Sequence, residues 1–96
     1  MNISDAQELI VKAYGAKDRQ RGTPGTYMYL VEEIGELATA LREETKEQRA
    51  SELADVLAWT FSIAGLEDIN LEAAFREKYS SCRGCGKDVC ECATKP

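Results

Sequence analysis

Apolar residues recur at every third or fourth position along much of the chain, which is the spacing of one face of an α-helix. The clearest stripe is formed by Tyr27, Leu30, Val31, Ile34, Leu37, Ala38 and Leu41. A matching stripe follows a charged segment and is formed by Ala50, Leu53, Ala54, Val56, Leu57, Thr60, Phe61 and Ala64. No stretch alternates β-branched and polar residues as a strand would. The pattern therefore predicts an all-α protein in which these two helices pack together.

Two further helices are predicted, one on either side of this central pair. The four helices run from Ser4 to about residue 17, from 27 to 41, from 46 or 47 to 64, and from Asn70 to 79. Ser4 and Asn70 are residue types that cap helix starts, and Gly65 is typical of a helix end. The segment from Lys17 to Gly25 contains glycine, proline and basic residues and predicts a loop. The expected fold is an antiparallel bundle of about four helices.

Four acidic residues border the two central stripes, namely Glu33, Glu36, Glu52 and Asp55. Each pair is spaced i,i+3, and fifteen residues separate Glu36 from Glu52, which is enough for a turn and an antiparallel partner. Facing carboxylates repel by roughly 4 kcal/mol at an effective dielectric near 20, and Mg²⁺ or Mn²⁺ with oxygen ligands would offset that repulsion. Because 17 of 96 residues are acidic, solvated helix faces would also produce such spacings by chance.

The segment EEIGELATAL, followed by SELADVL, resembles the paired Glu-Glu-x-x-Glu and Glu-x-x-Asp motifs of the MazG-like, all-α nucleoside triphosphate pyrophosphohydrolases. The later INLEAAFREKY is similar to the closing helix of that family, so the resemblance covers roughly residues 25–80. It implies hydrolysis between the α and β phosphates, which releases a monophosphate and pyrophosphate. By position, it implies that the four carboxylates hold Mg²⁺ and that Glu32 is a candidate general base. A narrower alternative is an enzyme for one dedicated nucleotide, such as dUTP, dCTP or phosphoribosyl-ATP.

Four residues outside the carboxylate motifs are candidates for substrate contacts. Lys17 and Arg21 belong to the predicted basic loop, and Lys78 lies on the last helix, from which it could reach phosphate groups if that helix folds over the site. Trp59 follows Glu52 by seven residues, on the same side of its helix, where it could stack on a nucleobase. Solvated surface positions, or a core position for the tryptophan, are the alternative interpretations.

Length and charge narrow the possible partners. A chain of 96 residues allows one domain with a limited core, so the wide apolar faces predict a homodimer or homotetramer. A net charge of −5 disfavours nucleic acid or an anionic membrane as a partner, whereas a nucleotide can still bind through metal ions. Neither a membrane-spanning run nor a signal-peptide pattern is found, and a cytoplasmic protein is expected.

The last sixteen residues differ in kind from the rest and contain all four cysteines, Cys82, Cys85, Cys90 and Cys92. Cys-x-x-Cys followed by glycine points two thiolates at one metal, and the second pair could complete a tetrahedral Zn²⁺ site. The second pair is more tightly spaced than usual, and disulfides, a redox role or free thiols are the alternatives. We therefore expect a catalytic domain over residues 1–80 and a Cys-rich tail over 81–96. A non-catalytic helical oligomer whose zinc tail binds a protein partner is the alternative to an enzyme.

Overall fold

In the computed structural model, which describes residues 1–96, every regular element is an α-helix. The helices are α1 (Ile3–Glu43), α2 (Lys46–Leu66) and α3 (Leu71–Lys78). No helix is both long and apolar enough to cross a membrane. The all-α prediction is confirmed, but the chain forms three helices and not four.

Helix α1 joins the first two predicted helices across a kink at Gly22. This residue has φ 77° and ψ 170°, a backbone conformation that glycine adopts without the steric cost of a Cβ. Pro24 lies in the following turn, where it has no amide hydrogen to donate. The backbone is helical on both sides of the kink, so the predicted loop from Lys17 to Gly25 is wrong. The chain changes direction at Gly22 alone, and not over the nine residues of the predicted loop.

The helix starts follow ordinary capping chemistry. The side chain of Asn2 accepts a hydrogen bond from the amide of Asp5, so the cap of α1 is Asn2 and the prediction of Ser4 is wrong. Thr45 caps α2 with a matching capping box. Asn70 caps α3 as predicted, and its side chain accepts from the amide of Ala73.

The second segment of α1, residues 23–43, lies antiparallel to α2. Tyr29 stacks on Trp59, and Glu33 lies beside Glu52, so the contacts run in opposite directions along the two helices. The first segment of α1 packs on the far end of α2, where a methyl group built on Gly65 would lie only 2.6 Å from Val11 Cγ2. Gly65 therefore allows close packing inside α2, which continues to Leu66, and does not mark its end.

The core of the single chain is small. Only three apolar residues are buried, namely Ala40, Phe61 and Ala64. Members of both predicted stripes remain open to solvent, with Ile34 at 50% and Leu53 at 53% exposure. The radius of gyration is 15.5 Å, whereas a compact chain of this length has about 12.5 Å. The apolar stripes that define the two central helices are thus largely uncovered by the chain itself.

Helix α3 is attached to the start of α1 by polar contacts. Gln7 donates to the carbonyl of Ile69 at 2.7 Å and accepts from the amide of Leu71 at 3.0 Å. The amide of Ser4 donates to Glu72 Oε1 at 3.1 Å. These bonds fix the entry of α3 and direct the chain into the Cys-rich tail, which contains no helix or strand.

Candidate metal centre and adjoining cavity

Three of the four predicted carboxylate ligands meet in the seam between α1 and α2. One carboxylate oxygen from each of Glu33, Glu36 and Glu52 lies within 4.8 Å of the others. Oε2 of Glu33 and Oε2 of Glu52 are buried and have no hydrogen-bond partner. Asp55 follows Glu52 by one helical turn and lies near this cluster, although outside the group of three. The antiparallel pairing of the two helices is what brings acids so distant in sequence together.

The protonation of the cluster reflects this crowding. Burial raises the pKa of Glu33 from 4.5 to about 7, and the charges of Glu36 and Asp55 add to the effect. Burial also raises the pKa of Glu52, followed by the charge of Glu36. In both cases the negative form is disfavoured because water is excluded and like charges are close. A bound cation would offset both effects, because its charge favours the ionised carboxylates.

The donor set fits a hard divalent cation. Buried carboxylate oxygens without partners, contributed by two rigid helices, are ligands that Mg²⁺ and Mn²⁺ prefer in proteins. Glu32, the predicted general base, is exposed and does not belong to the clustered group.

A cavity of about 290 Å³ lies between α1 and α2 on the side of Asp55. Its walls are formed by Ile10, Tyr14, Lys17, Asp18, Arg21, Asp55, Ala58, Trp59 and Ser62. Three predicted substrate residues, Lys17, Arg21 and Trp59, thus line one space together with a predicted metal ligand. Lys78 is not among the residues that line this cavity, and its ammonium group lies 5.8 Å from the ring centre of Tyr79.

Aromatic rings and a guanidinium group form an ordered arrangement at this cavity. The rings of Tyr29 and Trp59 stack with centroids 4.9 Å apart and planes within 8°. The guanidinium carbon of Arg21 lies 5.1 Å from the first ring centre and 5.2 Å from the second. Arg21 also donates to Asp18 Oδ1 at 3.1 Å, and Asp18 is only 2% exposed. The buried carboxylate of Asp18 therefore holds the guanidinium group of Arg21 against the two stacked rings.

The comparison with known proteins agrees with this geometry. Residues 23–81 match the family model described as the MazG nucleotide pyrophosphohydrolase domain. That range exceeds half of the chain and contains all four predicted carboxylate ligands. The chain belongs to the MazG nucleotide pyrophosphohydrolase domain family. No curated protein matches the sequence significantly. Lys17, Asp18 and Arg21 precede the part of the chain that matches the MazG domain.

The sequence analysis did not predict two residues of this candidate site, Asp18 and Tyr29. Asp18 falls in the predicted loop from Lys17 to Gly25, so the sequence gives it no position on a helix face. When α1 continues, Asp18 follows Val11 by seven residues and shares its inner face, and the i,i+3 spacing to Arg21 is a further signal. Tyr29 precedes Glu33 by four residues, so it lies on the same face of α1 as a metal-ligand candidate, although outside the predicted stripe.

The four cysteines lie just beyond the MazG match and form a second cluster. Their Sγ atoms are all within 4.8 Å of one another, and all four thiols are free. Amide hydrogen bonds from Cys85 and Gly84 lower the pKa of the Cys82 thiol to about 6. Hydrogen bonds from the backbone amides of Glu91 and Lys87 lower the pKa of the Cys85 thiol. The chain thus has two separate groups of potential metal ligands, sulfur atoms in the tail and carboxylate oxygens between the helices.

Proposed function

We propose that this protein is a Mg²⁺- or Mn²⁺-dependent nucleoside triphosphate pyrophosphohydrolase. It would cleave between the α and β phosphates and release a nucleoside monophosphate and pyrophosphate. The observation that carries the proposal is the carboxylate cluster of Glu33, Glu36 and Glu52, in which one oxygen of Glu33 and one of Glu52 are buried without a hydrogen-bond partner, inside a MazG domain. Such a cluster is unfavourable without a cation, and a triphosphate is a substrate that binds through cations.

The carboxylates of Glu33, Glu36, Glu52 and Asp55 would hold the cation between α1 and α2. When bound, Mg²⁺ neutralises charge on the phosphate oxygens and lowers the pKa of an attacking water. Because the ligands stand on two packed helices, their positions are fixed before substrate arrives. Glu32, exposed beside the ligands, is proposed to take the proton of that water.

The adjoining cavity would receive the nucleoside part of the substrate. Its aromatic side, Trp59 with Tyr29 stacked on it, offers flat apolar surface to a base. Lys17 and Arg21 supply positive charge for phosphate oxygens. A volume of about 290 Å³ is at the lower end of typical ligand cavities, so it suits a nucleoside and not an entire triphosphate. Asp55, which lines the cavity, lies where the phosphates would pass towards the carboxylates.

We further propose that the working form is a homodimer or homotetramer. The single chain leaves the apolar stripes of α1 and α2 exposed and buries only three apolar residues. A second copy that covers these stripes would supply the apolar burial that a 96-residue chain lacks.

Product analysis tests the reaction directly. Purified protein is incubated with a panel of ribo- and deoxyribonucleoside triphosphates, with and without Mg²⁺. We expect monophosphate and pyrophosphate only in the presence of the metal. Glu36→Gln should lower turnover at least about 100-fold while the helical circular dichroism stays unchanged. Glu77→Gln, an exposed acid on α3, is the matched control and should retain activity.

Two other outcomes would redirect the proposal. Release of inorganic phosphate without pyrophosphate would contradict the cleavage position. Absence of turnover for every common triphosphate would favour a single dedicated nucleotide, provided that Mn²⁺ still binds the carboxylates. If the wild type and Glu36→Gln bind Mn²⁺ equally, the carboxylates are not the metal site and the non-catalytic alternative gains.

A further inference from the structure

The Cys-rich tail is the one cluster of reactive side chains that the proposed hydrolysis does not use. We propose that Cys82, Cys85, Cys90 and Cys92 bind one Zn²⁺ ion through four thiolates, and that this ion folds residues 80–96 into a structural unit of their own. The site would be independent of the carboxylate centre in both position and chemistry. It rests on geometry in the tail and not on the proposed function.

The sulfur positions match a tetrahedral zinc site. A Zn–S bond of about 2.3 Å places the sulfur atoms of a regular tetrahedron about 3.8 Å apart. Cys82 Sγ and Cys92 Sγ are 3.9 Å apart, and all four sulfur atoms lie within 4.8 Å of one another. Two disulfides would instead gather the sulfurs into two separately bonded pairs. A shared centre for all four ligands is the arrangement that the structure shows.

The backbone is built around the sulfur atoms. The amide of Glu91 donates to Cys85 Sγ at 3.5 Å, and the amide of Cys92 donates to Cys90 Sγ at 3.3 Å. Such amide donors orient thiolate ligands and spread their negative charge. Gly86, with φ 75°, closes the first turn by donating its amide to the carbonyl of Cys82 at 2.8 Å.

Gly84 provides a second, independent indication that the two halves of the tail close on one point. A methyl group on this residue would lie 2.9 Å from Cys92 Sγ and 2.9 Å from Pro96 Cγ. The first Cys pair and the end of the chain therefore pack so closely that only glycine fits between them. A flexible tail with dispersed thiols has no such requirement.

No apolar core could hold this segment together. None of residues 80–96 is buried, and the segment contains no helix or strand. A unit of this size without a core needs a metal or covalent links to fold. Two negative charges remain on a zinc ion with four thiolates. Arg83 and Lys95 supply positive charge in the same segment, whereas Lys87 is paired with Glu91.

Ligand chemistry separates this site from the carboxylate cluster. Soft thiolates select zinc over Mg²⁺, whereas carboxylates select Mg²⁺ and Mn²⁺. The two clusters should therefore load different metals from the same solution. Zinc is our choice over iron because it fits tetrahedral thiolate ligation without redox chemistry.

Metal analysis of the full-length protein tests the site. Protein is produced in medium that contains equal zinc and iron, purified without chelators and measured by elemental mass spectrometry. We expect about one zinc per chain, falling to less than about a tenth in Cys85→Ser and in Cys90→Ser. Ser81→Ala, next to the first ligand, is the matched control and should keep the zinc.

Replacement of zinc by Co²⁺ gives a second readout that does not depend on purification history. The visible spectrum should show sulfur-to-cobalt charge transfer and tetrahedral bands in the wild type, and both should vanish in Cys85→Ser. Thiol titration of the native protein should find the thiols protected until a chelator removes the metal. Four reactive thiols without bound metal, disulfides in place of thiols, or iron at one per chain would overturn the proposal.

Discussion

The partly buried carboxyl group of Glu33 predicts that the metal-free protein loses stability as the pH rises through the acid range. Its pKa is raised from 4.5 to about 7, first by burial and then by the charges of Glu36 and Asp55. Below pH 4.5 this group is protonated in both states and no penalty applies. Between pH 4.5 and 7 the folded chain binds more protons at this site than the unfolded chain, so the free energy of unfolding falls with rising pH. Above pH 7 the loss is complete.

The size of this loss follows from the shift. One pKa unit corresponds to about 1.4 kcal/mol, so the shift of Glu33 sets an upper limit of about 3.5 kcal/mol. Because the side chain is not fully shielded from water, we expect about 1 to 2 kcal/mol. Glu33→Gln carries a neutral side chain of nearly the same shape and should remove this part of the pH dependence. At pH 7.5 without metal, the variant should therefore be more stable than the wild type.

The assay is urea unfolding from pH 4 to 8 in buffer freed of divalent ions by a resin, so that no soluble chelator attacks the tail. Added Mg²⁺ should stabilise the wild type at pH 7.5, because it binds the charged cluster of the folded chain, and should have much less effect on Glu33→Gln. Glu77→Gln should behave as the wild type. Equal pH slopes in the wild type and Glu33→Gln would refute the reasoning.

Three further predictions concern packing, assembly and the cavity. Gly65→Ala should cost about 1 to 3 kcal/mol in urea unfolding because its new methyl group would clash with Val11. Gly35→Ala, whose new methyl group would meet no atom within 4 Å, should be neutral or stabilise the chain by up to about 1 kcal/mol. Leu41→Lys places a charge on an apolar stripe residue that is 56% exposed and should lower the mass found by sedimentation equilibrium; a wild type with the mass of one chain would contradict the oligomer. Trp59 is the sole tryptophan, so a non-hydrolysable nucleotide with Mg²⁺ should change its fluorescence, and unchanged emission at saturation would place the nucleotide elsewhere.

The all-α class and the proximity of the acidic residues could be predicted from the sequence because both depend on short, regular spacings. A three- and four-residue period specifies a helix face, and an antiparallel pair then brings Glu33 and Glu52 together whatever the details of the turn. The roles assigned to these residues, and to Lys78 and Glu32, remain predictions.

Gly35 and Gly65 show what the spacing of residues cannot predict. Gly35 lies inside α1, where a glycine can indicate close packing, yet it is exposed and a methyl group built on it would meet no atom within 4 Å. Gly65 was interpreted as a helix end, yet it is the residue that lets Val11 approach α2. Local sequence describes which conformations a glycine permits, whereas contact with a distant segment depends on how the helices cross. The burial of Asp18 could not be predicted for the same reason, since it depends on the kink at Gly22.

The exposed stripes and the crowded acids have a common origin in how the α1 and α2 seam is used. Glu33 and Glu52 occupy inner positions of that seam, which in an ordinary helical pair would hold apolar side chains. The chain therefore has less apolar core where these carboxylates lie, and its buried apolar residues are Ala40, Phe61 and Ala64. On the function proposed above, further stability would come from what binds the folded state, namely a metal at the acids and a second copy of the chain on the exposed stripes. On this argument, a folded single chain without metal should be the least stable form of the protein.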